Sequence, residues 1–229
     1  MRVAAIIPAY EAAATIGGLV DELQGTGGID PVIVVDDGSR DDTAARARAA
    51  GALVVRHARN RGKGAALRTA LTEALQQGAT HAVSLDADGQ HPPTEALRLA
   101  RLAALPEALV LGIRDLVTAG APRASQRSNG ISNWWLSRFA GRSLADTQCG
   151  LRRYPIAATL ALGARSRGFG FEAEVVLRAA LAGLPIVEEP VRVHYPPAAD
   201  RTSHFHVVSD PARIVWRVLA TVATAPRRR

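Results

Sequence analysis

The sequence offers few ways to hold a fold together other than a hydrophobic core. Cys149 is the only cysteine, so no disulfide forms within the chain; this fits a reducing compartment and excludes a cross-linked scaffold. Aromatic residues make up 4% of the 229 positions. Zinc-finger and RNP-like spacings are missing, and the basic residues are not interleaved with stacking side chains, so nucleic acid is set aside as a partner. Long apolar runs are scarce too. The longest late stretch, "IVWRVLATVATA", is interrupted by Arg217 and falls short of the roughly 20 residues a spanning helix needs. At the other end, Met1 and Arg2 lead into "VAAIIPAY", too short for a signal-peptide core and followed by no cleavage-like site. The expected location is cytoplasmic, with peripheral contact at the cytoplasmic face of a membrane.

Apolar residues, at 48%, are plentiful enough for one large α/β domain. The formal net charge of +7 is patchy, with arginines crowded in "RNRGKG", "RASQRSN" and the terminal Arg227, Arg228 and Arg229. Such patches suit phosphate groups or an anionic surface.

Along the chain, strand and helix signals alternate. "VAAIIPAY" reads as a buried strand, "AATIGGLVDELQ" as a helix, and "PVIVVDDGS" as a strand closing on acids and a turn. Ser39 is placed to cap the alanine-rich helix that follows, with Asp42 three residues on and Gly51 as its stop. Strand "ALVVRH", a basic glycine turn at 59–64, helix "AALRTALTEALQQG" and strand "HAVSLDAD" complete the first half. This order implies a mostly parallel sheet covered on both faces, with ligands beyond the carboxyl ends of the strands. Asp36, Asp37, Asp86 and Asp88 all fall at such ends. In the second half, strand "EALVLGIRD" precedes a loop at 117–128, a helix around "ISNWWLSRFAG", a helix "FEAEVVLRAALAG", a strand "LPIVEEPVRVHY", the loop "PPAADRTSHF" and a closing helix.

The stretch "SLDADGQHPP" carries most chemical information. In extended chain, Asp86 and Asp88 point to one face, where each raises the cost of ionising the other. A divalent cation between them relieves that cost, and Gln90 adds a neutral oxygen on the same side. This all-oxygen set favours Mg²⁺ or Mn²⁺ over zinc. The plain alternative is a solvated turn; the second acidic strand end at Asp36 and Asp37 argues against it.

Seven motifs in order, "IIPAYEAAATI", "VIVVDDGSRDDT", "NRGKGAAL", "LDADGQHPP", "DTQCGLRRY", "GFEAEVVLRA" and "YPPAADRTSHF", resemble the family 2 glycosyltransferases of GT-A fold. Within that family they look like the branch containing dolichyl-phosphate mannose and glucose synthases and their bacterial relatives. The resemblance runs from Val3 to about Phe205. It implies a GT-A domain over 1–208, with a nucleotide-sugar half at 1–113 and an acceptor half at 114–208, followed by a helix and basic tail at 209–229. It also implies a GDP- or UDP-hexose donor, a divalent metal and transfer with inversion. Carried over, Pro8, Ala9 and Tyr10 lie along the nucleobase and ribose, and Asp36 and Asp37 reach base or ribose hydroxyls. Glu11, Lys63, Asp86, Ala87 and Asp88 belong to the donor site, with Asp86, Asp88 and Gln90 on the metal. Relatives read P-x-Y-N-E where this chain has Tyr10, Glu11 and Ala12, so its acid stands one position early.

Arg201 and His204 are placed to add charge or a proton on the leaving-group side. Arg114, Arg123 and Arg127 form a set suited to an acceptor phosphate, a geometry that favours Arg over Lys. A lipid-phosphate acceptor is already anionic near neutral pH and needs no base, whereas a hydroxyl on a lipid or polysaccharide needs one, for which Asp146 in "DTQCG" is the candidate; a cap or turn acid is its plain alternative. Cys149 reads as a small buried hydrophobe. A P-loop ATPase and a Rossmann dehydrogenase are set aside because neither glycine frame is present, and a non-catalytic nucleotide-sugar-binding module is disfavoured by the intact acidic set. In "DPARIVWRVLATVATAPRRR", Ile214, Val218, Thr221 and Val222 share one helical face. That face either packs on the domain or rests on the cytoplasmic leaflet.

Overall fold

A computed structural model describes residues 1–102, 105–168 and 170–194. Arg201, His204 and the tail at 209–229 lie outside the described residues. The elements run β1 (Val3–Ala9), α1 (Ile16–Gly25), β2 (Val32–Asp36), α2 (Thr43–Ala49), β3 (Leu53–Arg56), α3 (Lys63–Gln76) and β4 (His81–Ser84). After these come α4 (Pro93–Ala100), β5 (Leu109–Arg114), α5 (Arg123–Ala140), β6 (Arg152–Pro155), α6 (Ile156–Ala161), α7 (Gly170–Ala182) and β7 (Ile186–Val191).

The strands make one seven-stranded sheet in the order β3-β2-β1-β4-β6-β5-β7. Only β6 runs against its neighbours, β4 and β5; the other pairings are parallel. Side chains alternate across each strand, and here both sets are apolar. In β1, Ala4 and Ile6 join the core on one face, while Val3, Ala5, Ile7 and Ala9 join the core on the other. Leu67, Ala70, Leu71 and Ala74 of α3 and Val175, Val176 and Ala179 of α7 complete the first core. Leu19, Val20 and Leu23 of α1 and Ala96 and Leu99 of α4 complete the second. The expected mostly parallel sheet with helices on both faces is what the chain builds.

β1 has β2 on one side and β4 on the other, so the carboxyl ends of β1 and β4 bound a switch-point crevice. The register sets Ala9 opposite Asp36 and Ile6 opposite Ser84, which brings three loops to one rim.

Local departures from the sequence reading have physical causes. β6 and α6 were not anticipated: the strand is "RRYP", and its arginines are wholly buried. Arg152 donates to the carbonyls of Cys149, Glu172 and Thr147 at 2.8, 3.0 and 2.7 Å, and Arg153 to those of Leu99, Leu102 and Leu105. A buried strand satisfied in this way has no apolar pattern to read. α4, which starts at Pro93, was also missed. α5 begins inside the loop expected at 117–128, because its inward positions include Ser128, Asn129 and Ser132. Ser39 does not cap α2; that helix starts at Thr43, and the Ser39 hydroxyl accepts the Glu11 N–H instead.

Candidate active site

The loop after β1 is fastened to the loop after β2 by a row of hydrogen bonds. The N–H groups of Glu11, Ala12 and Ala13 donate to Ser39 Oγ (2.9 Å), Thr43 Oγ1 (2.8 Å) and Asp41 Oδ2 (3.0 Å). In return, Glu11 Oε1 accepts the Arg40 N–H at 2.8 Å. Together these hold Glu11 at φ 51°, a left-handed conformation costly for a residue with a side chain. Pro8, Ala9 and Tyr10 therefore end β1 at the rim, while the Glu11 carboxylate is tied to the neighbouring loop.

Asp36 and Asp37 sit at the same rim but turn inward, and both are buried. Asp36 Oδ1 accepts the Ser39 N–H at 2.9 Å, and Oδ2 pairs with Arg56 Nε at 3.0 Å. Asp37 takes His57 Nδ1 at 2.6 Å and the N–H groups of Arg61 and Gly62 at 3.0 and 2.7 Å. Their oxygens thus face protein donors, where the sequence reading had them reach the base or ribose. Gly38 belongs to the same knot: at φ 80°, a Cβ would lie 2.5 Å from the Arg59 carbonyl carbon.

Asp86 and Asp88 lie beyond β4, which stops at Ser84. The chain turns at Ala87 and Asp88 and continues through Gly89 at φ 72°, instead of staying extended as the i, i+2 reasoning assumed. Asp86 is gripped from two sides. Lys63 Nζ, at the start of α3, lies 2.6 Å from Asp86 Oδ1 and 3.2 Å from Glu172 Oε2 at the start of α7. On the other side the Gly150 backbone presses so close that a Cβ there would fall 2.3 Å from Asp86 Oδ2. Burial pulls the Lys63 ammonium down, but Asp86 and Glu172 outweigh it and hold it above its ordinary value. For Asp86, burial raises the pKa, and Lys63, His91 and Arg114 more than reverse that, leaving it lowered. Lys63 was foreseen only as part of a donor-site motif. Glu172 was missed, because "GFEAEVV" reads as an ordinary helix start.

Asp88 is half-buried and forms no ion pair among the described residues; burial and the Asp86 charge outweigh the more distant pull of Lys63 and push its carboxyl up to about 6. Its Oδ1 accepts the Gln90 N–H at 3.0 Å, while the Gln90 carbonyl accepts the His194 N–H at 2.8 Å, so the chain after β7 returns to this turn. Thr15 Oγ1 donates to the Ala87 carbonyl at 2.5 Å, locking the turn against the start of α1. His91 follows the turn. It is buried, its Nδ1 has no hydrogen-bond partner among the described residues, and burial pushes its pKa down to about 4, so the ring is neutral near pH 7.

On the second half of the rim, Arg114 and Asp146 pair with each other. Arg114 Nε and Nη2 reach Asp146 Oδ2 and Oδ1 at 2.7 and 3.0 Å, and Asp146 also accepts the backbone N–H groups of Arg114, Gln148 and Cys149. Asp146 is 1% exposed, so the carboxylate expected as a base is enclosed and surrounded by donors. Of the three arginines expected on an acceptor phosphate, Arg123 and Arg127 stand exposed on α5, while Arg114 is engaged by Asp146. Burial pushes the Cys149 thiol up to about 12, which keeps it inert as a nucleophile.

Residues 4–158 match the family described as glycosyl transferase family 2. The chain belongs to that family. It is 30% identical to an undecaprenyl-phosphate mannosyltransferase of Micrococcus luteus, with 83% of each chain covered. With a UDP-N-acetylglucosamine–dolichyl-phosphate N-acetylglucosaminyltransferase of Methanococcus voltae it shares 27% identity over 83% of this chain and 84% of the relative. Among solved structures, glucosyl-3-phosphoglycerate synthase from Mycobacterium tuberculosis, in complex with Mn²⁺, UDP and phosphoglyceric acid, superposes with a TM-score of 0.76. That likeness covers 98% of this chain and 79% of the synthase at 21% identity, and it establishes the GT-A-like fold.

In this glycosyltransferase the donor set at the Asp86–Gln90 turn is oxygen throughout. Among the described residues, no three His, Cys, Asp or Glu side chains converge as a metal cage. Two carboxylates without a cage suit a hard cation that completes its shell with water and substrate phosphate oxygens, as Mg²⁺ characteristically does. The raised pKa of Asp88 fits this too, since a cation there relieves the repulsion from Asp86. Among the described residues, no helix is long and apolar enough to cross a membrane.

Proposed function

We propose that this glycosyltransferase moves a hexose from a nucleotide-diphosphate sugar to a polyprenyl phosphate, with inversion and with Mg²⁺ or Mn²⁺ as cofactor. The observation that carries the reading is the asymmetry of the D-x-D pair: Asp86 is fixed by Lys63, which Glu172 shares, while Asp88, two residues on, forms no ion pair among the described residues. Asp88, with Asp86 and Gln90 beside it, is the group to hold the metal, which supplies Lewis-acid stabilisation of the departing diphosphate. Lys63 places a further positive charge on the same side of the crevice, where leaving-group charge develops. The loop after β1, fixed by Ser39, Thr43 and Asp41, offers Pro8, Ala9 and Tyr10 as a preformed edge for the nucleoside.

The acceptor follows from what Asp146 does. A carboxylate enclosed by Arg114 and three backbone N–H groups is poorly placed to take a proton from a hydroxyl. A phosphate oxygen is already anionic near neutral pH and asks for no base. In this reading Asp146 anchors Arg114, and Arg123 and Arg127 meet the acceptor phosphate. The two membrane-lipid-phosphate transferases similar to this chain support the same acceptor class.

Purified protein should transfer radiolabelled hexose from a UDP- or GDP-sugar to undecaprenyl or dolichyl phosphate in the presence of Mn²⁺, and EDTA should stop it. NMR of the product should show the anomeric configuration opposite to the donor's. Transfer to a hydroxyl acceptor but not to any polyprenyl phosphate would overturn the acceptor assignment, and transfer undiminished by EDTA would overturn the metal.

A further inference from the structure

The amphipathicity of α5 is inverted. A helix on a water-soluble domain turns its apolar stripe inward and its polar residues out. Here the buried face is Ser128, Asn129 and Ser132 with Leu136, while the exposed positions Arg123, Arg127, Ile131, Trp134 and Arg138 recur at helical spacing along one outward stripe. Trp134 is 62% and Ile131 53% exposed. Trp134 is also braced: its ring meets Trp135 edge-on at 4.9 Å, and Trp135 stacks on Phe139 at 5.9 Å. Between them, Arg127, Gly130, Ile131, Trp134 and Trp135 line an open depression of about 500 Å³.

We infer that this outward face of α5 is a docking surface for an anionic lipid bilayer. The pattern along the helix selects that occupant. Ile131 and Trp134 form a short apolar centre, and arginines flank it on both sides; α5 contains no acidic residue to oppose them. Indole rings favour the headgroup boundary, and long basic side chains beside an apolar stripe reach outward to lipid phosphates. An apolar protein partner would leave three arginines without counter-charge, whereas anionic lipid supplies it. The inward serines make hydrogen bonds within the domain: Ser132 Oγ accepts Gln148 Nε2 at 2.8 Å and Ser128 Oγ accepts it at 3.4 Å. The helix is therefore held on the domain side by these polar contacts together with Leu136, Phe139 and Ala140, and keeps Ile131 and Trp134 free for lipid. The inference deepens the proposed function by giving the enzyme a way to reach a lipid-borne acceptor, yet it rests on the surface chemistry of α5 alone.

The test uses the full chain with vesicles of phosphatidylglycerol and phosphatidylcholine, or of phosphatidylcholine alone, all lacking polyprenyl phosphate. Failure would then concern the surface and leave the acceptor assay untouched. Wild-type protein should sediment with the anionic vesicles at low salt, be released by high salt, and ignore the neutral ones. Ile131→Ser/Trp134→Ser should lower the partition coefficient by about tenfold or more, given the apolar area removed. Because both side chains are exposed, its melting temperature should stay close to wild type. A Trp216→Phe chain, in which only Trp134 and Trp135 fluoresce, should be quenched by brominated acyl chains and thereby locate the contact independently of the double variant. Equal binding by wild type and the double variant, or absence of quenching in bound Trp216→Phe protein, would overturn the inference. So would concentration-dependent self-association that the double variant abolishes while vesicle binding is nil, because a second copy would then be the occupant.

Discussion

Replacing Lys63 by methionine keeps most of the side-chain volume and removes the one charge that two carboxylates share. Its Nζ lies 2.6 Å from Asp86 and 3.2 Å from Glu172, with 15%, 28% and 6% of the three side chains exposed. In wild type the cost of taking the ammonium from water offsets much of the attraction, so the pair's net worth is modest. The variant forfeits the attraction without returning either carboxylate to water. Breaking a buried pair from one side costs about 3–5 kcal/mol, and the partial exposure of Asp86 argues for the lower end. With a urea m-value on the order of 2–3 kcal/mol/M, the unfolding midpoint should fall by roughly 1 M or slightly more. Lys63→Met/Glu172→Gln supplies the control, because removing the second charge as well should recover part of the loss, with a coupling of about 0.5–3 kcal/mol. A midpoint shift of a few tenths molar in the single variant, or strict additivity in the double, would refute the shared-charge account.

Three further outcomes follow from the same geometry. A nucleoside diphosphate with Mn²⁺ should raise the melting temperature of the wild type, and Asp88→Asn should abolish the metal-dependent part of that rise; equal shifts in both proteins would remove Asp88 from the metal. Gly150→Ala sets a Cβ 2.3 Å from Asp86 Oδ2, so it should destabilise by about 1–3 kcal/mol and depress transfer, and calorimetry showing an unchanged melting temperature would contradict the close approach. Burial lowers the His81 pKa below 6.5, with the Pro106 carbonyl opposing and Arg153 assisting. The unfolded chain therefore takes up that proton first, and stability present above about pH 6.5 is lost as pH falls toward the folded-state value. His81→Gln should lessen the stability difference between pH 7.5 and pH 5.5 in urea titrations, whereas an unchanged difference would rule His81 out as a contributor.

Sequence periodicity alone was enough for β1 to β5, β7 and the helices between the early strands, because most of them bury a short apolar run bounded by turn residues, with β3 and β7 only half-buried. It was also enough to gather the acids at strand ends, since a parallel sheet sends all its carboxyl ends to one rim. Seven ordered motifs carried the family. Tertiary structure decided what those acids do. Asp36 and Asp37 turn inward because donors from β3, its following loop and the turn after β2 converge on them, and nothing in "VVDDGS" announces those donors. Asp86 and Asp88 differ because Lys63, held also by Glu172 of α7, arrives from α3 to pair with Asp86, and Gly150 closes on Asp86 from the segment before β6. β6 itself was hidden because its arginines donate to carbonyls of the segment before it, of α4 and α7 and of the stretch before β5, and α5 because most of the face that packs is polar. Apolar period is a local property that a sequence displays directly. A charge's role depends on which partners reach it through space, and that is fixed only when the chain has closed.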